Sequence, residues 1–242
     1  MATFVLVPGA WHGGWCYRDV TRGLRAGGHD VHPLTLTGLG DRLHLAAPEV
    51  NLETHIQDVV AAVTSEEIED AVLVGHSYGG MVITGVAEQL ADRFRTIIYL
   101  DAFVPESGRS LANSAPPERH EQRVRTAREQ GDGWRIPPPD PGFWGIDDPD
   151  TAAWLKRQLC DHPLATFEQV LIHTNPWERI DKRVFIVATE NEGAPFIGIA
   201  ERLRKEPSWE VHDFACGHEI MIDMPGELVD LLVTLAGHDS DV

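Results

Sequence analysis

The run AVLVGHSYGGM, residues 71–81, decides how this chain is read. Four apolar residues lead to a serine with a glycine two positions away on either side. A second apolar stretch, GGMVITGVAEQLADRF (79–94), follows directly with helical period. Short continuous apolar runs read as buried parallel strands, and a 3.6-residue period reads as helix. The pattern G-x-S-x-G, Gly75 to Gly79, therefore falls between a strand and a helix. In that context it forms a sharp turn that lifts a serine above a sheet. A side chain at either flanking position would clash with the neighbouring helix or strand, and glycine removes the clash. Ser77 is thus a candidate nucleophile. The backbone N–H of Tyr78, at the start of the helix, is a candidate donor to an oxyanion.

Other segments repeat the alternation. TFVLVPG (3–9), DVHPLTLTG (30–38), TIIYLDAFVP (96–105), RVFIVATE (183–190) and WEVHDFACG (209–217) read as further strands. Segments of helical period separate them, among them CYRDVTRGLRAGG (16–28), LETHIQDVVAAVTSE (52–66), FIGIAERLRKEP (196–207) and GELVDLLVTLAG (226–237). Alternating strands and helices at this spacing predict a doubly wound, mostly parallel α/β sheet. Residues 107–179 break the rhythm with no clean strand, a proline cluster and several bulky aromatics. A segment that long exceeds a connecting loop. It reads as a mostly helical cap inserted into a core of residues 1–106 and 180–242. Trp134, Phe143, Trp144 and Trp154 in the cap, with Trp11 and His12 after the first strand, are candidates to line a pocket.

Bulk composition narrows the partners. The chain has 242 residues, 43% hydrophobic and 24% charged, enough for a sizeable core. Its 20 basic and 38 acidic residues give a formal charge of −18, a surface that repels nucleic acid and anionic membranes. Three cysteines without a C-x-x-C are not a disulfide framework. The N-terminus reads as a strand rather than a signal peptide, and no apolar run is long enough to span a membrane. These features predict a soluble, cytoplasmic protein.

A serine needs a base. Of twelve histidines, His218 lies in FACGHEIM, past the last strand and before the last helix. That is the carboxyl edge, where open α/β sheets bind ligands. His76 sits in the turn itself, with its side chain expected to point away from Ser77. The loop VPGAWHGGW (7–15) after the first strand offers the Ala10 N–H as a second oxyanion donor, and its glycines do not match a dinucleotide fingerprint. No H-E-x-x-H and no compact His/Cys cluster suggests a metal site.

Together, FVLVPGAWHGGW (4–15), GHSYGGM (75–81), YLDAFVPE (99–106) and GHEIM (217–221) resemble the α/β-hydrolase branch that holds methylesterases and hydroxynitrile lyases. The resemblance spans nearly the whole chain and is weakest in the cap. It implies strand order 2-1-3-4-5-6, a Ser–acid–His triad, no cofactor, and a small-molecule ester held under a helical cap. The chain departs from these relatives at three places. Pro8-Gly9 replaces the usual His-Gly. Lyase relatives carry threonine at the position of Gly9 and lysine after the histidine, where this chain has Glu219, which favours hydrolysis. The usual triad aspartate after strand 5 is Asn191 in TENEGAP (189–195), so Glu190 and Glu192 are candidate acids. Asp101 is the third and preferred candidate: it ends an apolar strand, and a buried carboxylate needs a partner. The resulting expectation is an ester hydrolase with Ser77, His218 and Asp101 as catalytic residues. The alternatives are a lyase or cofactor-free tailoring enzyme on the same scaffold, and a ligand-binding protein without turnover. Monomer and homodimer both remain open.

Overall fold

The computed structural model describes residues 1–114, 116–191 and 194–237. The chain opens with β1 (Thr3–Val7), α1 (Arg18–Ala26), β2 (Asp30–Pro33), α2 (Leu52–Ser65), β3 (Ala71–His76), α3 (Gly79–Leu90) and β4 (Phe94–Leu100). An insert follows, with α4 (Pro117–Gln130), β5 (Arg135–Ile136), α5 (Pro149–Gln158), β6 (His162–Pro163) and α6 (Ala165–Glu168). The chain then returns through β7 (Lys182–Ala188), α7 (Phe196–Leu203), β8 (Glu210–Phe214), α8 (Ile220–Asp223) and α9 (Pro225–Ala236).

Six strands form one parallel sheet in the order β2-β1-β3-β4-β7-β8. This is the 2-1-3-4-5-6 order that the family resemblance implied. The last two strands are renumbered because the insert adds β5 and β6, which pair antiparallel. That pair was not expected: strands of two residues are too short to show alternation. Burial explains why the central strands β1, β3, β4 and β7 read as largely apolar runs. Phe4 and Leu6 pack on one face with α1 and α9, and Val5 and Val7 pack on the other with α2 and α3. Successive residues point to opposite faces, and both faces are covered. No helix among the described residues is long and apolar enough to cross a membrane.

The topology brings the site together. The strand order reverses direction between β1 and β3, the switch point at which open sheets leave a crevice beyond their carboxyl ends. His76 pairs with Leu100 in register across β3 and β4. Ser77 and Asp101 therefore leave adjacent strands at the same level. Both turn sharply, with φ of 53° and 40°.

Candidate active site

The turn at Ser77 follows from close packing. A Cβ on Gly75 would lie 2.7 Å from the Gly79 carbonyl oxygen, and one on Gly79 would lie 2.8 Å from the Pro8 carbonyl oxygen. Strand and helix can approach so closely only because both positions are glycine. Ser77 takes the left-handed conformation that L residues adopt at a cost. Its N–H donates to the Leu100 carbonyl at 3.3 Å, and its own carbonyl accepts from Gly80 and Phe103, both at 3.1 Å. These bonds tie the strained residue to two neighbouring elements. From Ala71 to Ala87 it alone is not fully buried.

Asp101 has no exposed surface, and its two oxygens are divided between two donors. Oδ1 accepts the Ala188 N–H at 3.1 Å, and Oδ2 accepts from His218 Nδ1 at 2.6 Å. With the proton on Nδ1, Nε2 is left as the basic nitrogen of the ring. The ring stacks flat on Phe196, centroids 5.1 Å apart, and the His218 N–H donates to the Trp144 carbonyl at 2.9 Å. Burial opposes charge on this imidazole. The hydrogen bond and charge of Asp101, reinforced by the charge of Glu219, outweigh it and raise the pKa above the ordinary histidine value. Glu190 is exposed, and its N–H bonds the Cys216 carbonyl, so it does not meet His218. Glu192 lies outside the described residues.

Ala10 and Tyr78 are buried beside Ser77, and all three line one cavity. Neither backbone N–H donates to another group among the described residues. The Tyr78 hydroxyl points elsewhere and bonds His55 Nδ1 at 3.0 Å. Next to Ala10, Trp11 holds φ of 66°, and the insert secures it at three points. Its N–H donates to His162 Nδ1 at 3.2 Å, its indole N–H donates to the Ile136 carbonyl at 2.9 Å, and its carbonyl accepts the Cys160 N–H at 3.2 Å. Because His162 Nδ1 accepts, its Nε2 carries the proton and donates to Thr166 Oγ1 at 2.7 Å. Burial keeps this imidazole neutral by lowering its pKa. Sequence reasoning missed His162, since the Trp11 N–H that it accepts comes from a distant segment.

The cavity has a volume of about 340 Å³ and also takes in His218. Of the expected pocket residues, Trp11, Phe143 and Trp144 line it. Three others do not. His12 is buried behind the loop, with Nδ1 at 2.7 Å from the Ala10 carbonyl and Nε2 at 3.5 Å from Glu219. Trp154 packs against Trp15, and Trp134 stacks with Arg135. Aromatic content alone does not tell which face of the insert a ring will take. Arg119 and Arg123 of α4 also line the cavity, although the composition of that helix resembles a solvated surface.

The sequence shows no compact metal-ligating cluster, yet the fold assembles one from His76, His218 and Glu219, with ligand atoms within 4.8 Å of one another. Two of its four ring nitrogens are engaged: His76 Nε2 lies 3.1 Å from the His218 carbonyl, and His218 Nδ1 bonds Asp101, whereas His76 Nδ1 has no hydrogen-bond partner among the described residues.

Comparison with known proteins agrees with the fold. Residues 4–231 match the model of the alpha/beta hydrolase family. The carbendazim hydrolyzing esterase of Nocardioides sp. (strain SG-4G) is 44% identical, covering 97% of this chain and 100% of that protein. Salicylic acid-binding protein 2 of Nicotiana tabacum is 30% identical, covering 79% and 80% respectively. An extracellular alpha/beta-hydrolase from a Paenibacillus species superposes with a TM-score of 0.86 at 23% identity, over 99% of this chain and 100% of that one. The matched residues, the sheet order and the strained serine turn agree, and the chain belongs to the alpha/beta hydrolase family, in its methylesterase-like branch.

Proposed function

We propose that this chain is a carboxylic ester hydrolase that works through an acyl-enzyme on Ser77. His218 Nε2 takes the hydroxyl proton as Ser77 attacks the ester carbonyl. The N–H groups of Ala10 and Tyr78 stabilise the tetrahedral oxyanion. His218 then protonates the departing alcohol, activates water, and returns the proton to Ser77 as the acid leaves. Asp101 keeps the imidazole in the tautomer that can accept the proton and stabilises its charged form. The observation that carries this reading is the 2.6 Å contact between buried Asp101 and His218, whose ring lines the same cavity as the strained, half-buried Ser77.

Two further points support hydrolysis. The esterase relative at 44% identity covers 97% of this chain. A side chain at Gly9 would meet His76 Nδ1 at 2.9 Å and Ser77 Cβ at 3.0 Å, which leaves no room for the threonine of the lyase relatives. The aromatic walls suit a small, largely apolar ester. The three free cysteines suit a reducing, cytoplasmic setting.

Hydrolysis of short-chain p-nitrophenyl esters tests the scheme. Wild-type protein is expected to turn them over with a burst of nitrophenol, and Ser77→Ala to lose roughly 10⁶-fold in kcat. Equal rates in the two proteins would exclude Ser77 as the nucleophile.

A further inference from the structure

The cavity contains two cations that the hydrolytic scheme does not use. Arg119 and Arg123 stand four residues apart on α4, so they share one helix face, and both line the cavity with Ser77 and His218. Arg119 is exposed at the rim and Arg123 is half-buried. The Arg123 guanidinium lies over the Phe167 ring at 4.9 Å, and its Nη1 is shielded from solvent without a hydrogen-bond partner. Arg125, on the same helix, pairs with Glu121. Among the described residues neither Arg119 nor Arg123 has a carboxylate partner, and no acid lines the cavity. In a chain with 38 acidic and 20 basic residues, this is a local inversion of charge.

The arrangement is costly without a ligand. A guanidinium taken partly out of water needs a partner. Burial, with Arg119 nearby, pushes the Arg123 pKa down to about 10, which still leaves it charged at neutral pH. Arginine presents a planar fork that matches a carboxylate. The cavity that holds this fork and Ser77 also has aromatic walls, including Trp144 and Phe167.

Building on the esterase reading above, we propose that the cavity selects aromatic esters bearing a second, ionised carboxylate, held by Arg123 with Arg119 at the rim. The substrate class is then the half-esters of aromatic dicarboxylic acids. The aromatic ring packs among the apolar walls, the ester carbonyl faces Ser77, and the free carboxylate reaches α4.

The test compares kcat/KM for monomethyl terephthalate with that for methyl 4-nitrobenzoate, which has nearly the same shape without the charge. The ratio of the two is measured in wild type, Arg123→Met and Arg123→Lys, so that intrinsic reactivity cancels. The ratio is expected to fall roughly tenfold to a hundredfold in Arg123→Met and less in Arg123→Lys. An unchanged ratio in a folded Arg123→Met protein overturns the proposal. A wild-type measurement stands independently of the variants: terephthalate should inhibit p-nitrophenyl acetate hydrolysis competitively, more tightly than neutral terephthalamide, and the advantage should shrink as salt is raised. Equal inhibition by the two overturns the proposal. Turnover of p-nitrophenyl acetate with neither methyl ester cleaved overturns the specificity alone. No turnover of any ester overturns the hydrolase reading on which it rests.

Discussion

Replacing Asp101 with asparagine changes almost nothing except the proton on His218. Asparagine tolerates the left-handed backbone that Asp101 occupies at φ 40°. Its Oδ1 can still accept the Ala188 N–H. At the other position, however, an NH₂ group replaces the oxygen that accepts from His218 Nδ1 at 2.6 Å. The imidazole must then move its proton to Nε2, the nitrogen that has to accept the proton of Ser77. Loss of the correct tautomer lowers kcat by about 10⁴-fold, or about 5.4 kcal/mol in the barrier. The assay is steady-state hydrolysis of a p-nitrophenyl ester against pH. In wild type the rise of kcat/KM with pH falls above the ordinary histidine range, because Asp101 and Glu219 raise the pKa of His218 against the opposing effect of burial. In Asp101→Asn burial dominates, and the rise of the residual activity moves to lower pH. Stability follows the same linkage. Folding raises this pKa, so the stabilisation is complete below the unfolded value of about 6.5 and is lost as pH climbs through the raised folded value. The Tm gap between the two proteins should therefore narrow as pH rises. A folded Asp101→Asn protein that loses less than about tenfold in kcat would refute the reasoning, as would a 10⁴-fold loss in Glu190→Gln.

Two further predictions concern the frame around the site. Gly75→Ala drives a methyl group to 2.7 Å from the Gly79 carbonyl and 2.8 Å from Ile83 Cγ2. It should destabilise the fold by about 1–3 kcal/mol, or roughly 2–4 °C of Tm per kcal/mol, as read by thermal melting. His162→Ala removes the acceptor for the Trp11 N–H and so loosens the loop that carries the Ala10 N–H. We expect kcat to fall roughly tenfold to a hundredfold with KM changed much less, because the oxyanion is present only in the transition state.

The architecture of this chain was legible because its signals are local. The four central strands β1, β3, β4 and β7 are buried on both faces, so each appears as a largely apolar run, whereas the edge strands β2 and β8 are only partly buried. The serine turn is recognisable because glycines at 75 and 79 are needed wherever a helix packs this closely on a strand. The position of Ser77 thus follows from eleven consecutive residues. The short β5–β6 pair has no such periodic signal.

What the sequence determined by itself was the order of elements and the turn that exposes Ser77, because burial and steric fit within one segment leave a period or a glycine behind. Only the tertiary structure decided which carboxylate meets His218. Asp101 and Glu190 both follow strands at the carboxyl edge, but Asp101 is buried beside the ring and Glu190 faces solvent. It also decided that His162 and Cys160 of the insert hold Trp11, and that Arg119 and Arg123 turn toward the cavity while Trp134 and Trp154 do not. These contacts join residues far apart in the chain. Their partners are set by strand register and by how the insert lies over the sheet, and neither leaves a periodic trace in the residues themselves.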